Sequence, residues 1–267
     1  MFTLVSWNIQ YGKGVDGRID LGRIAETVHK DGLPDVLCLQ EVSRNYPSTD
    51  EGADQVKELE NIFPDYESFF GSVHDRSGGK EKTRKQFGNL VLTRLSPVQV
   101  LHHLLPSPAD PKARFMSRQI AELVIPANTT ELRVMTTHLE FFSEIQQLAQ
   151  IQRIREIHEE ASCQFHFPGK DMPETPFELV KRPENTVICG DFNFTPDSTS
   201  YRKMTSRFSD KNMDLVDAWM IHQKGNAQTP TCGIFDHKQW KKGPHCRDYF
   251  FISQSLAQKI NQISVNT

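Results

Sequence analysis

Short apolar runs rich in Val, Ile, Leu and Phe recur along the chain, and each is bounded by Gly, Pro, Asn or a charged residue. Runs of this length and composition are typical of β-strands. The predicted strands are Phe2–Trp7, Asp35–Gln40, Gly88–Thr93, Val98–Leu101, Gln119–Ile125, Leu132–His138, Thr186–Gly190 and Asp248–Ser253. The first of them is predicted to lie inside a sheet and not at its edge.

Apolar residues at intervals of three and four predict helices in three places. Asp20 can cap the first helix, whose buried face would carry Leu21, Ile24, Ala25 and Val28. The second helix is predicted over Ala53–Phe63. The third begins after Ser143, which forms a capping box with Gln146, and its apolar positions are Ile145, Leu148, Ile151, Ile154 and Ile157.

Two segments, 74–88 and 163–185, show no period and are predicted to be loops. No internal repeat and no linker divides the chain, so residues 1–267 are predicted to form a single domain. Many strands with few helices favour an α/β sandwich with helices on the outside.

The composition fits this fold. The chain has 267 residues, 37% hydrophobic and 24% charged, with a net charge of −3, which excludes collagen-like, low-complexity and wholly disordered proteins. No apolar run approaches the roughly 20 residues of a membrane span, and the first residues lack the basic region of a secretory signal. The five cysteines form no C-x-x-C pair. We therefore expect a cytoplasmic monomer with reduced thiols.

Polar residues of a metal- or phosphate-binding type stand where several predicted strands end or begin. Asn8 and Glu41 follow the first two strands, His138 ends the strand from Leu132, Asp191 follows the strand from Thr186, and Asp248 opens the last. Each residue alone is typical of an ordinary turn or core position. A strand end is also a rigid mount for a reactive group, so their joint occurrence predicts a functional site.

The order of these motifs resembles the endonuclease/exonuclease/phosphatase superfamily. The motifs are Trp7-Asn8, Gln40-Glu41, His138-Leu139, Gly190-Asp191-Phe192-Asn193 and Arg247-Asp248-Tyr249, with support from Gly88–Arg94 and from Arg118. The resemblance implies a four-layer α/β/β/α sandwich of two packed, mostly antiparallel sheets with outer helices. It also implies Mg²⁺- or Mn²⁺-dependent hydrolysis of a phosphate ester by in-line attack of water.

The resemblance also implies roles for single residues. Glu41 would be the main metal ligand, with Asn8 beside it, because hard cations prefer oxygen donors. Asp191 would activate the attacking water. The other side chains expected at the site are Asn193, Asn89 and Arg118 as phosphate contacts, His138 as a donor to a phosphate oxygen or an aid to the leaving group, and Asp248 as the partner of a second histidine.

Two features depart from the family pattern. Gln10 stands where the family often has an acidic residue, and the Ser-Asp-His of the family's last strand occurs nowhere in residues 1–267. We expect that this strand was truncated from the chain. Natural loss, which would leave a non-catalytic scaffold that binds phospho-ligands, is the alternative.

The substrate stays open at this stage, because one scaffold serves many phosphoesters. A phosphodiesterase or a phosphatase is expected first. A DNA or RNA nuclease is the alternative within enzymes, since basic residues able to follow a nucleic-acid backbone cluster in segment 74–88, namely Arg76, Lys80, Lys82, Arg84 and Lys85.

Overall fold

The apolar runs form two β-sheets in the computed structural model, which describes residues 1–30, 32–79, 82–127 and 130–266. The four-stranded sheet has the order β1-β2-β4-β3. Its strands are β1 (Leu4–Asn8), β2 (Val36–Arg44), β3 (Glu67–Ser77) and β4 (Arg84–Thr93). β1 and β2 are parallel, and the other pairs are antiparallel.

The six-stranded sheet has the order β5-β6-β7-β8-β10-β9. Its strands are β5 (Gln99–Leu105), β6 (Arg118–Ala127), β7 (Thr130–His138), β8 (Thr186–Asp191), β9 (Leu215–Asp217) and β10 (Asp248–Ser253). Only β7 and β8 are parallel among the pairs described here. The helices are α1 (Leu21–Lys30), α2 (Gln55–Ile62), α3 (Glu144–His166), α4 (Thr199–Met204) and α5 (Ala218–His222).

The alternation of side chains along β2 explains the layers. Leu37 and Leu39 pack with residues of α1 and α2 on the outer face of the four-stranded sheet. Val36 and Cys38 point the other way, into a cluster shared with β6, β7 and β8. The outer face of the six-stranded sheet packs against Ile151, Ile154 and Ile157 of α3. The predicted four-layer sandwich is therefore confirmed.

Several predictions about single elements were wrong. β1 lies at the edge of its sheet, although Phe2–Trp7 was expected inside one. Most of segment 74–88, expected as a loop, belongs to β3 and β4, whose polar halves pair as a twisted ribbon from His74–Phe87 to Ser77–Arg84. Lys80 lies outside the described residues. Ile145, placed in the buried stripe of α3, is 61% exposed.

The segment predicted as a loop at 163–185 is irregular from residue 167 onward, and its first residues complete α3. All five cysteines are free thiols in the structure. No helix within the described ranges combines the length and the apolar composition that a bilayer-spanning segment requires.

Candidate functional site

Strand register brings the predicted polar residues to one edge of the two sheets. Asn8 pairs with Gln40 at the end of parallel strands β1 and β2. His138 pairs with Asp191 at the end of parallel strands β7 and β8, and Asp248 at the start of antiparallel β10 pairs with the same Asp191. Because the ends of parallel strands meet at one edge, each sheet presents its polar residues together.

The two sets meet across the sheets through Asn8. Its Nδ2 donates to Glu41 Oε1 at 3.0 Å and to Asp191 Oδ2 at 2.9 Å. Its Oδ1 accepts from the backbone N–H of Gln10 at 3.0 Å. One carboxamide therefore joins carboxylates from both sheets and is itself held in orientation by the following turn.

Glu41 reaches the site because β2 carries an irregularity there. The register with β4 shifts between Leu39 and Val42, and Glu41 has a φ of 60°, in the left-handed region. Strict alternation would place Glu41 on the helix-facing side with Leu39. The bulge instead turns the carboxylate toward Asn8 and His138.

A glycine is required on β8 beside Asp191. A Cβ at Gly190 would lie 1.9 Å from the backbone oxygen of Thr137, and the φ of 138° also disfavours other residues. This close approach of β7 and β8 sets His138 next to Asp191. The distances from the imidazole are 3.7 Å from Nε2 to Asp191 Oδ2 and 3.9 Å from Nδ1 to Glu41 Oε1.

Burial dominates the ionisation of the site. Desolvation raises the pKa of Glu41 and of Asp191, against the opposing hydrogen bonds from Asn8. Desolvation also raises the pKa of Asp248, and the neighbouring Asp191 charge adds to the shift. Burial, with a smaller effect of the Arg118 guanidinium, lowers the pKa of His138 well below its usual 6.5. The His138 imidazole is therefore neutral. It lies between Glu41 and Asp191, whose negative charges are not balanced by nearby cations.

The two predicted phosphate contacts border this cluster. Arg118 opens β6 and is 5% exposed, with its Nε 3.5 Å from Glu140 Oε2. Its charge acts on Glu41 and Asp191, as the pKa of each carboxyl reflects. Asn89 is buried on β4, between the residues that pair with Leu39 and Val42 on either side of the β2 bulge.

Asn193 and Asp248 make hydrogen bonds with other residues of the chain. Asn193 donates its backbone N–H to Asp191 Oδ1 at 2.9 Å and its Nδ2 to the Leu139 oxygen at 3.0 Å. Its amide therefore braces the loop that holds Asp191. The side chain of Asp248 hydrogen-bonds with Thr231, and no imidazole in the described part of the chain takes the place expected for a second histidine.

Sequence reasoning missed two side chains at this edge. Arg247 belonged to the motif but received no role; its Nη1 donates to the Asn193 oxygen at 2.7 Å and its Nε to His245 Nε2 at 2.9 Å. Burial lowers the pKa of His74, and the charges of Arg76 and, to a smaller extent, Arg118 lower it further, so His74 lies near Arg118. No signal could have found His74, because it falls in the segment expected as a loop.

Buried polar atoms without a hydrogen-bond partner concentrate here. They include Gln40 Oε1, His74 Nε2, Arg118 Nε, Gln119 Nε2 and Glu140 Oε2. An unpaired buried polar atom costs free energy, so native structures keep few of them. Atoms of this kind around unbalanced carboxylates are typical of a site that binds a polar ligand.

The donors at the site are suited to a hard divalent cation. Glu41 and Asn8 offer oxygens, which Mg²⁺ and Mn²⁺ prefer, and the buried carboxylates would gain from added positive charge. Among the residues that the structure describes, no three His, Cys, Asp or Glu side chains are arranged to hold a metal ion by themselves. A cation here would therefore depend on the carboxamide, on water and on the substrate.

Comparison with known proteins agrees with the two-sheet fold. The profile of the Endonuclease/Exonuclease/phosphatase family matches residues 5–260. A search of curated proteins finds no match. A solved endonuclease/exonuclease/phosphatase from Beutenbergia cavernae superposes with a TM-score of 0.66 at 20% identity, over 95% of this chain and 64% of that one.

Two further structures cover more of their own length. The mannosyl-6-phosphatase Bt3783 of Bacteroides thetaiotaomicron has a TM-score of 0.62 at 18% identity, over 96% of this chain and 86% of that one. The human Nocturnin catalytic domain with bound sulfate anion has a TM-score of 0.59 at 18% identity, over 95% of this chain and 82% of that one. At these identities the likeness shows the fold, whereas the profile match over almost the whole length shows the family. The chain belongs to the Endonuclease/Exonuclease/phosphatase family.

Proposed function

We propose that this protein hydrolyses a phosphate ester with the help of Mg²⁺ or Mn²⁺. The observation that carries the proposal is the meeting of Glu41, Asp191 and His138 around the Asn8 carboxamide at one edge of two sheets. These side chains come from four different strands. The family, whose members hydrolyse phosphoesters, supports the same chemistry.

Glu41 would hold the metal ion, with Asn8 beside it. A divalent cation there would supply positive charge that polarises the phosphoryl group and offsets the negative charge of the reacting centre. The fit rests on the excess of buried carboxylates and on the oxygen donors.

Asp191 would accept the proton of the attacking water. Burial raises its pKa, which makes it a stronger base, and two hydrogen bonds from Asn8 and the Asn193 backbone fix its orientation. The water oxygen forms a bond to phosphorus as the bond to the leaving oxygen breaks in line with it, and the leaving oxygen takes up a proton.

The remaining polar groups would stabilise the phosphoryl oxygens. His138 is neutral, so one ring nitrogen can donate a hydrogen bond. Arg118 and Asn89 line the same edge, and Arg118 Nε forms an ion pair with Glu140 Oε2 at 3.5 Å but no hydrogen bond. Donors fixed in a buried site cost little reorganisation during the reaction, which is the basis of electrostatic stabilisation.

A screen of phosphoesters tests the proposal. Purified protein would be assayed with Mg²⁺ or Mn²⁺ on p-nitrophenyl phosphate, bis-p-nitrophenyl phosphate, inositol phosphates, RNA, and intact and abasic DNA. We expect turnover of at least one class and its loss in EDTA, with recovery when metal is returned. Turnover that persists in EDTA would refute the metal role, and binding without turnover would favour the scaffold alternative.

The DNA and RNA samples test the nuclease alternative. One observation favours it: the ribbon formed by β3 and β4 carries Arg76 and Lys85, with Lys82 two residues before β4, and it adjoins the site through His74. Arg84 adds less, because its Nε pairs with Asp75 at 2.7 Å. Cleavage of nucleic acid with a steep salt dependence would support this alternative.

We also propose that the protein works as a monomer in the cytoplasm, a location supported by its free thiols. Size-exclusion chromatography with light scattering tests the monomer, and localisation of the tagged protein tests the compartment.

A further inference from the structure

Three aromatic side chains, two exposed and one half-buried, form a cluster next to the candidate site. Phe141 and Phe142 follow β7 and are 40% and 53% exposed. Trp240 comes from the long loop before β10. The Phe141 ring centroid lies 4.9 Å from that of Phe142 and 5.8 Å from that of Trp240. We call these three residues the aromatic rim. Exposed aromatics in mutual contact are more informative than scattered ones, since contiguous apolar patches mark binding surfaces.

Arg247 is fixed within this rim. Its guanidinium carbon lies 4.9 Å from the Phe141 centroid and 4.7 Å from the Trp240 centroid. Hydrogen bonds to the Asn193 oxygen and to His245 Nε2 hold it. His245 Nδ1 lies 2.8 Å from the Gly243 oxygen and donates to it, which leaves Nε2 as the acceptor. In the described part of the chain, Arg247 Nη2 donates to no residue.

The rim borders the proposed reacting centre from two sides. Phe141 directly follows Glu140, which pairs with Arg118. Arg247 precedes Asp248, the strand partner of Asp191. The Trp240 loop is also tied to the other sheet, because Gln10 Nε2 donates to Gln239 Oε1 at 3.3 Å just beyond Asn8. The loop therefore crosses the edge where the carboxylates meet.

We infer that the aromatic rim and Arg247 form a subsite for a planar aromatic group, a nucleobase or an aryl ring, attached to the phosphate of the substrate. This inference rests on the proposed function. The parts of these rings that the Arg247 and Arg114 guanidinium groups leave uncovered would stack on the group. Arg247 Nη2 would donate a hydrogen bond to an acceptor on the group or to a phosphate oxygen. A purely structural role, in which the rings only cover the Arg247 guanidinium, predicts no preference for such ligands.

Two matched pairs of ligands test the inference by calorimetry with Mg²⁺ present. AMP and ribose 5-phosphate differ by a nucleobase, and O-phosphotyrosine and O-phosphoserine differ by an aryl ring. The titrations use protein with Asp191→Asn, which would prevent turnover during the measurement. We expect the ring-bearing member of one pair to bind about 10-fold more tightly, the size that stacking of one ring provides. The pair that shows the preference identifies the ring.

A variant separates stacking from packing. Phe141→Leu with Phe142→Leu and Trp240→Leu keeps apolar bulk against Arg247 and removes all three rings of the aromatic rim, so the preference should disappear while the ring-free ligand binds as before. Phe177→Leu is the matched control, because Phe177 is 71% exposed in the irregular segment after α3. Circular dichroism and thermal melts of all variants confirm folding.

Equal affinities within both pairs, no binding of any of the four ligands, or a preference that survives the leucine variant would overturn the inference. The proposed function is judged separately by turnover. A protein that hydrolyses phosphoesters without ring preference loses only the inference. One that prefers ring-bearing ligands but hydrolyses nothing keeps the subsite and loses the hydrolase assignment.

Discussion

Glu122 and Asp191 are buried carboxylates on the same sheet, and their surroundings shift the carboxyl pKa in opposite directions. Glu122 accepts two hydrogen bonds from Arg182 and one from His103, each at 2.8 Å. Burial would raise its pKa, but these bonds and the charge of Arg133 outweigh burial and lower it to about 2. At Asp191 burial prevails over the bonds from Asn8 and Asn193, and its pKa is raised.

The difference separates a structural cluster from the cluster that we propose to be functional. Around Glu122 each negative charge has cationic partners, as stable buried ion pairs require. Around Asp191 carboxylates gather with too few cations, which costs stability in the free protein and is useful only when a ligand or a proton arrives. Perturbed carboxyl groups of the second kind cluster at functional sites. Changes at the two residues should therefore affect different properties.

The largest expected effect is on turnover by Asp191→Asn. Asparagine keeps the shape and most hydrogen bonds but cannot accept the proton of water, so kcat/KM should fall by about 10³-fold, the range for loss of a general base. The free energy of unfolding should stay equal or rise, because an unbalanced buried charge is removed. Steady-state kinetics and urea unfolding measure the two quantities.

Asp197→Asn is the matched control, since Asp197 lies shortly after Asp191 but is exposed. It should leave both quantities near those of the unmodified protein. Normal turnover by Asp191→Asn would remove Asp191 from the proposed chemistry.

At Glu122 the expected loss is in stability. Glu122→Gln would leave Arg182 and Arg133 buried without their counter-charge, and breaking a buried pair in this way costs about 3–5 kcal/mol. Urea unfolding measures the change, and turnover per folded molecule should not alter. Glu131→Gln, on the exposed start of β7, is the control. An unchanged urea midpoint for Glu122→Gln would mean that the buried ion pairs of Glu122 contribute little to the free energy of unfolding.

The sequence predicted where most strands lie better than it predicted how far they extend. Runs such as Gln119–Ile125 and Leu132–His138 are apolar because both faces of their strands are covered, so they stand out locally. β3 does not stand out in the sequence, because its outer half pairs with β4 as a ribbon beyond the apolar layers. Polar residues there, such as His74 and Asp75, are also typical of a loop. Backbone pairing alone leaves no hydrophobic period to detect.

Part of the site could be predicted because the apolar strands stand out in the sequence. Glu41, His138 and Asp191 interrupt apolar strands, and such interruptions can be identified in one sequence. Their meeting depends on the stacking of two sheets and on the β2 bulge, which no local pattern encodes. The orientation of the Asn193 amide depends likewise on the oxygen of Leu139, which directly follows β7 and lies more than fifty residues away in the sequence.

Acid should distinguish the two carboxylates by the sign of the pH effect. The folded pKa of Glu122, about 2, lies below its ordinary 4.5. Its contribution is therefore complete above pH 4.5 and is lost toward pH 2, so the deficit of Glu122→Gln should shrink by about 3 kcal/mol over that window. The folded pKa of Asp191 lies above its ordinary 3.8. Its protonated form stabilises the fold below pH 3.8, and this stabilisation is lost as pH rises, so any gain from Asp191→Asn should grow with pH.

Urea unfolding at intervals of pH measures both differences. The same direction of change for the two variants would show that the two carboxylates do not have opposite environments.

The smallest expected effect is stabilisation by metal, and it sharpens the comparison without an activity assay. A ligand that binds only the folded state at about ten times its Kd adds about 1.4 kcal/mol, or a few degrees in Tm for a chain of this size. Mg²⁺ should give this shift in the unmodified protein and in Glu122→Gln, because the charge around Glu122 is already balanced. It should not do so in Glu41→Gln, which lacks the anionic oxygen proposed to hold the cation. Differential scanning fluorimetry with Ca²⁺-free MgCl₂, and NaCl at equal ionic strength as the control, measures the shift. An equal shift in all three proteins would mean that the metal binds away from Glu41. The excess of buried carboxylates around Asp191 could then not be explained by a cation bound to Glu41.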